Sequence, residues 1–180
     1  MRKLIVGEFI SLDGVVEAPE KWHFPYVNEE MFDIMWSLQA TVDTMLLGRV
    51  TYQSYAGAFA NAPAGDQIAA RMNKPAKVVV SRTLHNLEWG NSTLLSGDVG
   101  AAVASLKEQP GGDIITTGST SLVRILLRAG LVDELHLFTH PIVVGTGQRL
   151  FEDEGIQVPL TLTECRQLST GTVYLAYRES

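Results

Sequence analysis

The sequence predicts an α/β fold, in which short buried strands alternate with helices. The first observation is that brief runs rich in valine, isoleucine and leucine recur along the chain, and most are followed by turn residues and a helical pattern. The second is the segment 113–140, which combines a strand, a glycine turn, a helix and another strand about 20 residues after the first, the separation expected of a parallel crossover. The third is a hairpin pattern near the end of the chain, which indicates an antiparallel pair.

Length and composition are those of one soluble domain, which we expect to span residues 1–180. The chain is 46% hydrophobic and 19% charged, and no apolar run approaches the roughly 20 residues that cross a bilayer. Its net charge of -6, without a Lys/Arg run, predicts neither nucleic acid nor a membrane as a partner. The single cysteine, Cys165, excludes an internal disulfide, and the N-terminus lacks the pattern of a signal peptide, so we expect a cytoplasmic protein.

The first third of the chain predicts two strands and a helix around a long loop. Residues 3–10 are almost continuously apolar and predict a central strand that is covered on both faces. The segment 11–26 carries Gly, Pro, Trp and His without periodicity, which is typical of a loop that covers a pocket. Asn28 caps a predicted helix with an apolar face on residues 31–38, and a short apolar strand follows at 44–47.

The middle of the chain predicts shorter elements. Residues 57–75 contain two glycines and two prolines around a modest helical pattern, so we interpret them as connecting structure. A strand is predicted at 77–80, a minor strand at 94–95 and a helix at 99–107.

The segment that follows predicts a βαβ unit. Two isoleucines begin a strand that runs to Thr117, and Ser119 or Thr120 can cap a helix that is apolar around most of its circumference. Alternating residues at 135–140 give the second strand.

The end of the chain predicts an antiparallel hairpin of segments 160–167 and 172–177. The alternation of side chains shifts near Glu164, which indicates a β-bulge.

Three predicted strands end in motifs that suit an anion: GRVTY, SRT and GSTSL. They offer hydroxyls, an arginine in the first two and, in the last, the unpaired amides of a helix start. Because open α/β sheets bind ligands beyond the carboxyl ends of their strands, we expect these motifs to share one crevice, in which the arginine of SRT could hold the 2′-phosphate that distinguishes NADP from NAD. The candidate residues are Gly48, Arg49 and Thr51; Ser81, Arg82 and Thr83; and Gly118, Ser119, Thr120, Ser121 and Leu122.

Two observations limit this interpretation. A plain turn and helix cap explains the GSTSL motif as well as an anion site does, and the GxGxxG fingerprint of dinucleotide-binding proteins is absent from the sequence. No metal site is predicted, because the four histidines are dispersed and the closest two, His136 and His140, are too far apart on a strand to chelate together.

The order of the motifs resembles that of one family. SLDG, LLGRVTY, VVVSRT, GSTSLVRILLRAGLVDEL and PIVVGTGQRLF follow one another as in the dihydrofolate reductase-like superfamily, and the chain resembles its riboflavin-biosynthesis reductase branch over nearly its whole length. The resemblance implies a three-layer α/β fold, with an eight-stranded, mixed, mostly parallel sheet, helices on both faces and an antiparallel C-terminal strand. It also implies NADPH in the crevice, with NADH as a second candidate donor, a heterocyclic or ribosylamino substrate, and a homodimer.

The resemblance assigns a part of the cofactor to each motif. Gly48, Arg49 and Thr51 would meet a cofactor phosphate. Residues 81–83 would lie on the side of the adenosine 2′-phosphate, and residues 118–122 would meet the pyrophosphate.

It also suggests residues near the reacting atoms. Ser11 and Asp13 would lie near the nicotinamide and the substrate, with Asp13 as a substrate anchor or proton-transfer residue. Asp33 is nearest to the acid that true dihydrofolate reductases carry on their first helix, although periodicity places it on the polar side. Trp22, in the predicted lid, is a candidate for substrate contact.

Three functional hypotheses follow. The first is an NADPH-dependent reductase of a small heterocyclic or ribosylamino-pyrimidine substrate, in which the protein supplies position and electrostatics. The zinc-deaminase motifs HxE and PCxxC, which accompany the bifunctional riboflavin enzymes, are absent, so we expect the reductase half alone. The alternatives are dihydrofolate reductase activity and a non-catalytic NADP-binding protein, which would bind the cofactor without consuming it.

Overall fold

The computed structural model describes residues 1–151 and 157–180, and these form eight strands in one sheet together with five α-helices. The strands, in chain order, are β1 (Leu4–Ser11), β2 (Val42–Gly48), β3 (Ala76–Val80), β4 (Ser92–Leu95), β5 (Asp113–Thr116), β6 (Glu134–His140), β7 (Leu160–Gln167) and β8 (Val173–Glu179). The helices are α1 (Glu29–Leu38), α2 (Arg49–Phe59), α3 (Gln67–Asn73), α4 (Val99–Glu108) and α5 (Thr120–Arg128), and two 3-10 turns cover Pro19–Lys21 and Phe24–Tyr26.

The sheet is mixed and mostly parallel, in the order β4, β3, β2, β5, β1, β6, β8, β7. Strands β1 to β6 pair in parallel, and β8 runs antiparallel to both β6 and β7. The predicted fold class is confirmed, and so is the central position of β1, which lies between β5 and β6. Strands β5 and β6 form the ends of the predicted parallel crossover, with β1 inserted between them.

The core lies on both faces of the sheet, as the continuous apolar pattern of β1 requires. Leu4 and Val6 pack in a cluster with Val123 and other residues of α4 and α5. Ile5, whose side chain points to the opposite face, packs in a second cluster with Tyr52 of α2. A third cluster joins α1 to β6 and β8. The five helices are therefore divided between the two faces, and none of them is long and apolar enough to span a membrane.

Two local expectations were wrong, and one was right in detail. The segment interpreted as connecting structure contains α3, because Asp66 caps it by accepting a hydrogen bond from the amide of Ala69. Helix α5 has no side-chain cap: Ser119 stands at the cap position in a left-handed conformation, and its hydroxyl is bonded elsewhere. The predicted bulge is present in β7, where the register shifts between Leu162 and Glu164.

Candidate functional site

A cleft of about 1480 Å³ opens at the carboxyl ends of the parallel strands. It is bounded by the ends of β2, β3 and β5, by the side of β1 at residues 7–9, and by the first part of the loop after β1. All three predicted anion motifs contribute to its lining, because these strands run parallel and end at the same edge. Every cofactor-binding residue predicted from the sequence lines this cleft.

The ends of β2 and β5 approach each other closely at one corner of the cleft. The Ser119 Oγ lies 3.0 Å from the Thr51 Oγ1, so the GRVTY and GSTSL motifs are joined by a hydrogen bond. A Cβ on Gly48 would lie 2.0 Å from the Ser119 Oγ, and one on Gly118 would lie 3.1 Å from the Thr51 Oγ1. Only glycine at position 48 allows the start of α5 to sit this close to β2.

The turn into α5 exposes backbone donors to the cleft. Gly118 and Ser119 both have positive φ angles, of 72° and 61°, and the second is costly for a residue with a side chain. The amides of Thr120 and Ser121, in the first turn, have no acceptor within the helix. The positive end of the helix dipole adds to their attraction for an anion.

The end of β3 adds a cation to the same cleft. The Ser81 Oγ accepts hydrogen bonds from the amides of Thr83 and Leu84, at 3.2 and 3.0 Å, which fixes a tight turn. Arg82 projects from this turn and is exposed. Within the described part of the chain its guanidinium makes no hydrogen bond or ion pair, whereas that of Arg49 bonds only to Gln53, at 3.3 Å.

Ser11 and Asp13 lie outside the lining of the cleft and hold two loops together. The carboxylate of Asp13 accepts from the amides of Val144 and Gly145, at 3.0 and 2.9 Å, and from the Ser11 Oγ at 2.7 Å. The bond from Ser11 and those from the two amides lower the pKa of Asp13 to about 2. An anchoring role explains these contacts, and a role near the substrate stays a prediction for both residues.

Asp33 and Trp22 also lie away from the cleft lining. Asp33 is exposed on the outer side of α1, in a shallow groove with Gln67 and Arg71. Trp22 is 8% exposed, donates its indole N–H to the carbonyl of Glu17 at 3.1 Å and packs edge-on against His140. The catalytic role of Asp33 and the substrate contact of Trp22 stay predictions that no geometry here supports.

The sequence reasoning missed Glu8, which is the buried acid of the cleft. It is 4% exposed, and its Oε1 accepts a hydrogen bond of 2.9 Å from the amide of Gly118. Burial raises the pKa of Glu8 to about 8, and the bond from Gly118 offsets only part of that rise. A signal was available, because Glu8 is the one charged residue within the apolar run LIVGEFI.

The hydroxyl groups of Tyr55 and Thr117 meet just after the end of β5. The Tyr55 hydroxyl on α2 is 3.0 Å from the Thr117 Oγ1, and both residues line the cleft. Burial raises the pKa of Tyr55, and the nearby carboxyl of Glu8 adds to the rise. Among the residues that the structure describes, no three His, Cys, Asp or Glu side chains form a group that could hold a metal ion.

The mixed sheet, the antiparallel β8 and the cleft at the carboxyl edge define a dihydrofolate reductase-like fold. Residues 2–174 match the family described as the RibD C-terminal domain, and the chain belongs to that riboflavin-biosynthesis reductase-like family.

Known proteins match the chain over nearly its full length. The uncharacterized protein YyaP of Bacillus subtilis (strain 168) is 27% identical over 182 residues, which cover 98% of this chain and 94% of that protein. A pyrimidine reductase-like protein from Corynebacterium diphtheriae superposes with a TM-score of 0.72 at 16% identity, over 99% of this chain and 92% of its own. A dihydrofolate reductase from Enterococcus faecalis, solved in complex with NADP(H), gives a TM-score of 0.64 at 16% identity, over 99% and 96% of the two chains.

Proposed function

We propose that the protein is an NADPH-dependent reductase that acts on a small heterocyclic or ribosylamino-pyrimidine substrate. One observation carries the proposal: three motifs that are far apart in the sequence line a single cleft and present two arginines and a helix N-terminus to it. Membership of the RibD C-terminal domain family supports the reaction class. The NADP(H) complex of the Enterococcus enzyme, which shares the fold, supports the choice of cofactor.

The residues of the cleft fit a phosphorylated dinucleotide. The amides at the start of α5 suit a pyrophosphate, and the hydroxyls of Thr51 and Ser119 stand beside them. Arg82, with no ion-pair partner among the described residues, suits a second phosphate on the far side of the cleft. A volume of about 1480 Å³ exceeds the roughly 300–1,000 Å³ of a pocket for one small ligand, and so leaves room for a substrate beside the cofactor.

The chain itself would contribute position, charge and exclusion of water. When bound, the cofactor supplies the hydride. The strand ends hold the phosphates, and residues 16–20 of the loop after β1 cover one side of the cleft. Glu8 and the Tyr55 hydroxyl line the same space and offer polar atoms to a substrate.

The preference for NADPH over NADH is tested by replacing Arg82. We expect Arg82→Ala to weaken NADPH binding about tenfold or more, because a charge-assisted contact to the 2′-phosphate is lost. NADH, which lacks that phosphate, should bind the variant and the wild type alike. Calorimetric titration of both proteins with both nucleotides measures the effect.

The matched control is Arg166→Ala. This residue lies on the edge strand β7, where it pairs with Glu164 at 2.6 Å. The control should leave the binding of both nucleotides unchanged. Failure of the wild type to bind either nucleotide would contradict the proposed function.

Turnover separates a reductase from a protein that only binds the cofactor. Oxidation of NADPH is followed with 5-amino-6-(5-phosphoribosylamino)uracil and, in parallel, with dihydrofolate. We expect NADPH to be oxidised with the ribosylamino-pyrimidine rather than with dihydrofolate. The reason is that Asp33, the nearest counterpart of the folate-reducing acid, is exposed outside the cleft. Binding of NADPH without consumption would favour the non-catalytic alternative.

A further inference from the structure

Glu8 occupies a position in which a carboxyl group is costly. It lies on the central strand β1, next to β5 on one side and opposite Leu137 of β6 on the other. Its neighbours on the same face, Val6 and Ile10, belong to the hydrophobic core. Glu8 nevertheless lines the cleft, so that the little surface it exposes faces the ligand space. An acid placed in this way is either a defect of packing or a functional group.

One oxygen of this carboxyl is fixed and the other is unengaged. The Gly118 amide donates to the Oε1 at 2.9 Å, and this amide belongs to the same turn that presents the start of α5 to the cleft. The Oε2 makes no hydrogen bond with any residue in the described ranges. It is not one of the polar atoms that are fully buried without a partner, so part of its surface is accessible. The geometry therefore leaves one polar atom of Glu8 to a ligand.

No cation in the described structure pairs with this carboxyl. The charged residues that the loop after β1 adds to the cleft are both carboxylates, Glu17 and Glu20. Strand β6 presents Leu137 beside Glu8, and the cleft-lining residues of α5 and α4 add no cation. Burial without an ion pair raises the pKa of Glu8 to about 8, so at neutral pH the group holds a proton. The charged and titratable residues that line the cleft around it are Glu17, Glu20, Arg49, Tyr55, Arg82, His85 and Asp98.

Resting on the reductase function proposed above, we propose that Glu8 is the acid that donates a proton to the substrate beside the carbon that receives the hydride. Glu8 would select a substrate in which a basic heteroatom, such as an imine nitrogen or a carbonyl oxygen, is bonded to an electrophilic carbon. The hydrogen bond from Gly118 orients this acid through the same turn that borders the phosphate-binding corner.

The step balances with the groups named. In the reduction of a C=N bond, the substrate carbon gains a hydride with its electron pair, and the nitrogen gains the proton that leaves the Oε2 of Glu8. The electron pair of the hydride forms the new C–H bond, the π pair of the C=N bond forms the new N–H bond with the proton from Glu8, and the dihydronicotinamide is oxidised. Glu8, left as a carboxylate, recovers its proton from the solvent that reaches the cleft.

The test begins with the protein alone. The titration of the Glu8 carboxyl is followed by carbon NMR on protein labelled in its glutamate side chains, with Glu8→Gln assigning the resonance. We expect a midpoint far above the ordinary glutamate value of 4.5. Glu108, which is exposed at the end of α4 away from the cleft, is the site of the control substitution. A midpoint between pH 4 and 5 would overturn the proposal, whatever the activity measurements give.

The second measurement uses the glutamine variant with cofactor and substrate. Glu8→Gln keeps the size of the side chain and can still accept from Gly118, but it has no proton to give. It should bind NADPH within about threefold of the wild type and lose at least 100-fold in the rate of NADPH oxidation with 5-amino-6-(5-phosphoribosylamino)uracil. The wild-type rate should fall as the pH rises through about 8, and this decrease should be absent from the pH profile of the variant.

The outcomes separate this inference from the function on which it rests. Wild-type turnover together with an unaltered rate and pH profile in Glu8→Gln would overturn the role of Glu8 and leave the reductase standing. A wild type that binds NADPH without consuming it would overturn both. The control Glu108→Gln should match the wild type in binding and rate.

Discussion

A carboxylic acid buried in a core has consequences for stability as well as for chemistry. The pKa of Glu8 rises from its ordinary value of 4.5 to about 8 on folding, so between these values the folded protein holds a proton that the unfolded chain has released. Raising the pH through this window therefore favours the unfolded chain. The protein keeps Glu8 despite this cost, as is typical of groups retained for function.

Replacing Glu8 should remove this cost. We expect Glu8→Gln to be more stable than the wild type at pH 7 by up to roughly 3 kcal/mol, with the difference shrinking toward pH 4.5. Urea unfolding at several pH values measures it. The exposed Glu108→Gln serves as the control, and a pH dependence that is the same in wild type and Glu8→Gln would show that Glu8 carries no such cost.

The residues near the reacting atoms were the hardest to predict from the sequence. Asp13 follows a strand as a catalytic acid would. Its carboxylate nevertheless accepts hydrogen bonds from the amides of Val144 and Gly145, which are more than 130 positions away in the sequence. Glu8 receives its bond from Gly118, 110 positions away. Local spacing carries no information about such partners, so the sequence alone could not tell which carboxyl faces the cleft.

At the scale of elements, the contact between the end of β2 and the start of α5 shapes the corner of the cleft where we propose that an anion binds. An alanine at position 48 would place its Cβ 2.0 Å from the Ser119 Oγ and 2.7 Å from its Cβ. Because the hydroxyl of Ser119 also bonds to Thr51, the side chain cannot turn away without breaking that bond. The start of α5 would have to move away from β2.

We expect Gly48→Ala to lose about 1–3 kcal/mol of stability and at least tenfold in NADPH affinity, because strain in the corner displaces the amides of α5. Urea unfolding and calorimetric titration give the two values. The control is Gly57→Ala within α2, where no atom lies within 4 Å of the added Cβ, and it should gain about 0.5–1 kcal/mol without any change in binding. Unchanged NADPH affinity in Gly48→Ala would contradict this view of the corner.

Periodicity was sufficient to locate most elements. The apolar run of β1 and the apolar circumference of α5 predicted buried elements because a sheet covered on both faces requires them. It failed where a single side chain decides the structure. Asp66 starts α3 within a segment rich in glycine and proline, and Ser119 adopts a left-handed conformation that its hydroxyl bond to Thr51 helps to fix.

At the scale of the whole molecule, the parallel arrangement of the strands predicted the candidate site better than any single motif did. Each of the three motifs could have been a plain turn or a surface segment. Their meeting in one cleft follows from the order β3, β2, β5, β1 and from the common direction of these strands. The homodimer, the cytoplasmic location and the identity of the substrate stay predictions, because the fold of one chain does not determine them.

The hydrogen bond from Gly118 to Glu8 would link the protonation of this acid to the occupancy of the neighbouring corner, where we propose that a phosphate binds. Negative charge bound at the start of α5 would disfavour the carboxylate form of Glu8, so we expect NADPH and a proton to bind with positive cooperativity. Near pH 8, binding of NADPH to the wild type should therefore take up a fraction of a proton from the solution, and binding to Glu8→Gln should take up less. Calorimetric enthalpies in buffers of different ionisation enthalpy measure this uptake, and equal uptake by the two proteins would rule the coupling out. An enzyme with this coupling would be loaded with its proton by the same event that delivers its reductant.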